Sequence, residues 1–277
     1  MTDTRQSWNV ATRHHNAHKG DQAAFLRAGG EVLFDEELAL LGDLAGKRLV
    51  HLQCNSGQDT LCLARRGAVA TGVDFSDEAI AFARGLSAAT GIAADFELSE
   101  VVAWLEATEE RFELAFSSYG AVGWLPDLAA WARGVARVLV PGGRIVYVEF
   151  HPLVWSFAPD LTPTGDDYFA TAPFEEPVTD YVAQAGAGLN ALAGAVPGDN
   201  PVPARSWQYG LGDIVSALAA AGLVIETLRE YPYANGCNVH PALELGPDRR
   251  WRWPAGTANV PLMFGLSARR PGPISAV

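Results

Sequence analysis

Leu49-Val-His-Leu-Gln-Cys-Asn-Ser-Gly57-Gln-Asp-Thr60 is the stretch that decides the fold. Arg48 to Gln53 reads as a short apolar strand, and Gly57 to Arg66 as the helix that follows it after a tight turn. A second strand at Val69–Val73 and a second helix at Asp77–Thr90 repeat the unit. Strand, helix and strand in that rhythm are the signature of a parallel sheet. In such a sheet ligands sit in the crevice beyond the carboxyl ends of the strands, and the first strand-to-helix turn offers backbone N–H groups to them. Gly57 is the residue expected to let the ligand approach that backbone.

Outward from this unit the alternation continues with a weak strand at 94–98, a helix at 101–109, strands at 114–118 and 144–150, and a helix at 128–139 between those two. Pro141-Gly142-Gly143 is expected as the turn before the fifth strand. Towards the C-terminus a helix at 212–221 precedes strands at 223–231 and 260–268, expected to pair antiparallel at the sheet edge across a loop at 232–257. The chain therefore reads as an α/β protein with a Rossmann-like, seven-stranded, mostly parallel sheet and helices on both faces. It carries an N-terminal helical cap, with Ser7 and Asp21 as N-caps, and an insertion after strand five. The expected division is a cap or lid at 1–46, a cofactor-binding core at 47–151, a substrate-pocket insertion at 152–205 and the C-terminal part of the sheet at 206–277.

The 277 residues are 49% hydrophobic and 19% charged, enough apolar material for a packed core and too few charges for disorder. A formal net charge of −12 argues against a nucleic-acid partner, because phosphate binding needs a surplus of Lys and Arg. No apolar run approaches the roughly 18 residues of a membrane span. Three cysteines without a leader segment point to a reducing cytoplasm. Monomer and homodimer both remain open.

Asp74 closes the second strand, seventeen residues after Gly57. An acidic side chain at that strand tip can accept both hydrogen bonds of a ribose diol. As an N-cap for the next helix it is less well placed than Ser76 or Asp77. Val50–Thr60, Thr71-Gly-Val-Asp-Phe-Ser76, Phe116-Ser-Ser-Tyr-Gly120 and Leu139-Val-Pro-Gly-Gly-Arg144 together resemble the class I S-adenosylmethionine (SAM) dependent methyltransferase family, across about residues 47 to 150. His51, Gln53 and Asn55 stand where that family has an acidic residue and two glycines, so their amides either replace backbone contacts or crowd the methionine end of the cofactor.

The resemblance implies SAM as cofactor and S-adenosylhomocysteine as product. It implies cofactor contacts at Gln53, Asn55, Gly57, Asp59 and Thr60 of the first turn, and at Asp74 and Phe75. Further contacts fall at Ser117 on the fourth strand and at the tip of the third strand. There Glu100 with Val101 fits the adenine, with Glu97 as the nearby alternative. His18 is expected from a cap closing as a lid. His14 and His18 share a helical face, but no acidic or Cys partner accompanies them, and no metal is expected.

Methyl transfer from a sulfonium is an in-line displacement that asks for alignment, water exclusion and sometimes a base. His151, where Pro152 turns the chain out of strand five, is the expected general base. A buried histidine bonded to a backbone carbonyl is its plain structural alternative. Tyr119 is expected to orient the acceptor or to touch the methionine part. Trp124, Trp155, Trp207 and Tyr231 are candidate walls for a small-molecule acceptor, or simple packing. Two other functions compete: an NAD-dependent oxidoreductase, which Asp74 also suits, and a non-catalytic SAM- or nucleoside-binding module.

Overall fold

The computed structural model describes residues 2–160, 162–164 and 167–272. Three helices, α1 (Thr2–Ala17), α2 (Gln22–Arg27) and α3 (Asp35–Leu41), precede β1 (Arg48–Leu52) and α4 (Gln58–Arg65). The alternation runs on through β2 (Val69–Asp74), α5 (Asp77–Thr90), β3 (Asp95–Leu98), α6 (Val101–Ala107), β4 (Phe112–Ser118), α7 (Leu128–Val138) and β5 (Leu139–Phe150). Asp21 caps α2 through Ala24 N–H at 2.8 Å, as expected. Ser7 is not a cap. It sits inside α1, buried, with its Oγ accepting from Val178 N at 3.0 Å and Asn200 Nδ2 at 3.1 Å.

After β5 come β6 (Phe174–Pro177), α8 (Tyr181–Ala185), β7 (Pro203–Ser206), α9 (Leu211–Ala220) and β8 (Val224–Tyr231). The last strands are β9 (Tyr233–Asn235), β10 (Glu244–Leu245), β11 (Arg250–Arg252) and β12 (Met263–Arg269). The seven-stranded sheet has the order β3-β2-β1-β4-β5-β12-β8. Its first five strands are parallel, and β12 lies antiparallel to both β5 and β8. Pro141-Gly142-Gly143 interrupts the β4–β5 register as a bulge within β5 rather than a turn before it, with Gly142 at φ 84°.

Alternate side chains of the central strands enter opposite cores, as a sheet covered on both faces requires. Val50, Phe112, Ile145, Tyr147 and Phe264 pack with Trp131 and Leu218 on the α6, α7 and α9 side. Leu49, Leu114, Phe116, Val146, Val148 and Met263 pack with Leu26, Leu41, Leu61 and Ile80 on the other.

Two segments expected as irregular contain strands. The 232–257 loop holds a three-stranded antiparallel sheet, β10-β11-β9, and the insertion pairs β6 with β7 antiparallel. At two to four residues each, these strands are too short to print a period-two pattern.

Gly57 takes a role different from the expected one. At φ 76° it caps α4, and a Cβ there would stand 2.7 Å from Ala83 Cβ and from the Phe96 ring. Its missing side chain thus serves the close packing of α4 against α5 and β3. Gly57→Ala should destabilise the fold by roughly 2–4 kcal/mol, left-handed strain and overpacking together. Urea denaturation checks this, and a loss below about 0.5 kcal/mol, the level of a neutral surface change, would refute it.

Candidate functional site

The carboxyl ends of the central strands open into a cavity of about 990 Å³. Its floor is the turn from β1 to α4, where Gln53 (φ 56°) and Asn55 (φ 48°) both adopt the left-handed conformation, as does Gly57. The backbone path that glycines would favour is therefore kept by an Asn, which tolerates it, and a Gln, which is strained by it. Their amides fold back locally. Asn55 Oδ1 accepts from Ser56 N at 2.6 Å, and Gln53 Nε2 donates to Ala121 O at 2.5 Å. Gln53 Oε1 is buried and has no partner among the described residues. His51, beneath the turn, is neutral because burial pulls its pKa down to about 3, and its Nδ1 lies 2.8 Å from Thr60 Oγ1.

Asp74 is 6% exposed and lines the cavity. Its two oxygens accept backbone N–H groups from two different turns, Asn55 N and Ser76 N, each at 2.9 Å. Burial raises its pKa to about 6, against the pull of these donors. Ser76 Oγ, not Asp74, accepts the N-cap bond of α5 from Ala79 N at 3.1 Å.

Helix α1 covers the turn. Asn16 Nδ2 donates to Ser56 Oγ at 2.9 Å, Ser76 Oγ donates to Asn9 Oδ1 at 2.7 Å, and Arg5 and Arg13 pair with Asp77 and Glu78. Trp8, His15, Asn16 and Lys19 thereby join the cavity wall. The Lys19 ammonium forms no hydrogen bond or close ion pair with the described residues. Burial lowers its pKa, and the nearest opposing charge is Asp59, itself raised by burial and lowered by Lys19.

Glu37, buried in α3, accepts from Phe34 N at 2.9 Å and from the Tyr119 hydroxyl, which in turn accepts from Asn235 Nδ2 at 2.9 Å. Burial, reinforced by the charge of Asp59, raises Glu37 to about 8. Glu149, also raised by burial, is saturated. Its oxygens accept from Gly120 N (2.5 Å), Phe150 N (2.8 Å), Ala121 N (3.2 Å) and Tyr147 Oη (2.7 Å), pinning the loop whose Ala121 carbonyl holds Gln53.

Of the residues expected from sequence, Gln53, Asn55, Asp59, Asp74, Phe75, Tyr119, Trp124, Trp155 and Trp207 line the cavity together. Gly57, Thr60, Glu100, Val101, Ser117, His18, His151 and Tyr231 do not. Glu100 caps α6, accepting from Val102 N at 3.1 Å and Ala103 N at 2.8 Å, and Val101 is core. His18 Nδ1 lies 2.9 Å from Asp180 Oδ2 on the insertion. Ser117 is buried in β4, and Tyr231 rests beside Tyr233 with ring centroids 5.6 Å apart.

The expected base is a correction. Just past the end of β5, His151 caps the turn that follows and packs beside Phe264, where its Nε2 lies 3.0 Å from Glu230 Oε1 and its Nδ1 accepts from Leu153 N at 3.2 Å. Glu37, Lys19 and Trp8, unforeseen in sequence, face the cavity from the cap. Among the described residues, no group of three or more His, Cys, Asp or Glu is gathered as a metal site, and no helix is long and apolar enough to cross a membrane.

Glu37 generates a pH prediction. Its folded pKa of about 8 exceeds the ordinary 4.5, so the stability it confers is complete below pH 4.5 and is lost as pH rises to 8. The fall in melting temperature across that window should flatten in Glu37→Gln, which stays neutral throughout. Parallel curves for the two proteins would refute the burial assigned to this carboxyl.

Comparison with known proteins bears on the same region. Residues 50–143 match a family described as a methyltransferase domain. An uncharacterized methyltransferase of Synechocystis sp. is 34% identical over 145 residues, 50% of this chain and 64% of that protein. The ubiquinone biosynthesis O-methyltransferase of Ralstonia nicotianae is 34% identical over 111 residues, 39% of this chain and 45% of that protein. The chain thus spans less than two thirds of the length of these relatives. A crystal structure of an S-adenosylmethionine dependent methyltransferase from Mesorhizobium loti shares the fold, with a TM-score of 0.57 at 23% identity over 87% of this chain and 99% of that one.

Proposed function

We propose that the chain is a class I SAM-dependent methyltransferase that transfers a methyl group from SAM to a small-molecule acceptor, a reading that the methyltransferase-domain match over residues 50–143 supports. The observation that carries this reading is the buried carboxylate of Asp74, fixed by two backbone donors at the cavity wall, with lone pairs left for a ribose diol. The remaining wall fits the cofactor's other end. The partly buried Lys19 ammonium and Asp59 carboxylate, which face one another, complement the carboxylate and ammonium of an amino acid. The unpaired Gln53 Oε1 adds an acceptor beside them.

When bound, the cofactor supplies a methyl carbon that takes the acceptor's lone pair while the electron pair of the carbon–sulfur bond stays on sulfur, any acceptor proton passing to solvent. The chain's own residues align and enclose. Asp74 and Phe75 would hold the adenosyl part, and Lys19 and Asp59 the amino-acid part. Tyr119, anchored by Glu37 and Asn235, gives a rigid side wall. Helix α1 excludes water from above. His151, which faces Glu230 outside the cavity lining, is given no role in this reading.

Calorimetric titration with S-adenosylhomocysteine tests this. Asp74→Ala should weaken binding by about 1.5–3 kcal/mol, the loss of charge-assisted hydrogen bonds. Lys19→Met should weaken S-adenosylhomocysteine about tenfold yet leave 5′-methylthioadenosine, which lacks the amino-acid group, unchanged. Wild-type protein that binds NADH and not S-adenosylhomocysteine would overturn the reading in favour of a dehydrogenase.

A further inference from the structure

Beyond Gln53 and Ala121 the cavity runs between α1, the turn at Val122–Trp124 and the insertion, and here its wall becomes aromatic. Trp8 is the hub. It meets Trp124 edge to face at 5.3 Å and Tyr181 at 6.4 Å. Trp207 is fixed to the same turn by its N–H to Gly123 O at 2.7 Å, and the Tyr209 hydroxyl donates to Leu125 O at 2.7 Å. Phe174 and Trp155, 39% and 46% exposed, continue the aromatic surface to the mouth. Trp8, Trp124 and Tyr181 brace one another as the inner part of the wall.

Its charge is as informative as its shape. His15, its ring tilted against Tyr181 with centroids 4.0 Å apart, is held neutral, burial pulling it down to about 4. The two permanent cations lining the cavity are engaged elsewhere. Lys19 faces Asp59, and Arg249 lies over the Phe34 ring at 4.5 Å and donates to Val32 O. The charged residue on the insertion's share of the wall is an acid, Glu176. An anionic acceptor would meet no counter-charge there, and desolvating it uncompensated is costly. A cationic acceptor would be repelled by a sulfonium bound beside it.

We propose that this aromatic chamber is the acceptor subsite and that it takes a neutral, largely apolar, ring-bearing molecule, packed against the wall that Trp8, Trp124 and Trp207 form. The proposal deepens the methyl-transfer reading and rests on it.

Protein saturated with sinefungin, whose ammonium stands where the sulfonium charge of SAM lies, titrated with 2-naphthol, 2-naphthoate and 2-naphthylmethylammonium and followed by tryptophan fluorescence and calorimetry, tests it. The neutral probe should bind at least about tenfold tighter than either charged one. Trp207→Leu, which keeps an apolar side chain, and Trp124→Ala should each weaken 2-naphthol about fivefold or more, with S-adenosylhomocysteine affinity unchanged as proof of an intact fold. Equal or tighter binding of a charged probe, or no 2-naphthol binding to the saturated wild type, would overturn the proposal. Should 2-naphthol bind but S-adenosylhomocysteine not, the chamber's ligand class stands and the methyl-transfer reading falls.

Discussion

One buried carboxylate organises this protein. Asp74 accepts Asn55 N–H from the first strand-to-helix turn and Ser76 N–H from the second, joining the two turns at the carboxyl edge of the sheet. From those same two turns the network climbs into the cap, Ser76 Oγ reaching Asn9 and Ser56 Oγ receiving Asn16. The floor of the cavity and its roof are therefore set by one polar cluster, and a shift in either turn is felt in α1. That the carboxyl is raised to about 6 despite two donors measures how far it has been removed from water.

The attachment of α1 is unequal along its length. The Arg5–Asp77 and Arg13–Glu78 pairs are roughly half exposed, and pairs of that kind contribute about 0–1 kcal/mol each. The buried contacts are stronger in kind. Asn200 Nδ2 donates to Ser7 O (3.0 Å), Ser7 Oγ (3.1 Å) and Val178 O (2.9 Å), and Trp8 packs on Trp124 and Tyr181. The helix is thus tied more firmly to the insertion than to the sheet. Cap and insertion are best regarded as one cover.

The sheet was legible because its strands bury both faces and its helices bury one, and those patterns are carried by many residues at once. Asp74 was legible because a strand tip is fixed by the strand itself. What the sequence withheld depends on a single dihedral or on partners far along the chain. Gln53 and Asn55 read as obstructions because their side chains are visible in the sequence and their positive φ is not. Gly57 read as an opening towards ligand, whereas Ala83 and Phe96 occupy the space beside it. His151 lies outside the cavity lining although Glu149, Phe150 and Pro152 belong to it, because its ring caps the turn after β5 and meets Glu230, 79 positions further along the chain. Glu37 lay in a segment that reads only as amphipathic helix, and its role depends on Tyr119 and Asn235, 82 and 198 positions further along the chain.

The cavity's electrostatics fit its architecture. Glu37, Asp59, Asp74, Glu149 and Glu176 line it, against Lys19 and Arg249. Four of those five carboxyls are raised by burial, so each is held in water-poor surroundings where its charge is costly. A cationic ligand in their midst changes the sign of that cost. Each carboxylate then gains an opposite charge in a medium of low dielectric, and its ionised form is favoured again. Glu149 is spent on backbone donors and Glu37 on Tyr119, which leaves Asp74 and Asp59 as the acids free to respond. These two flank the β1–α4 turn, so the polar half of the cavity suits a ligand carrying a positive centre between a ribose and an amino acid. The aromatic half, which offers no free cation and one acid, Glu176, suits a partner that is not anionic.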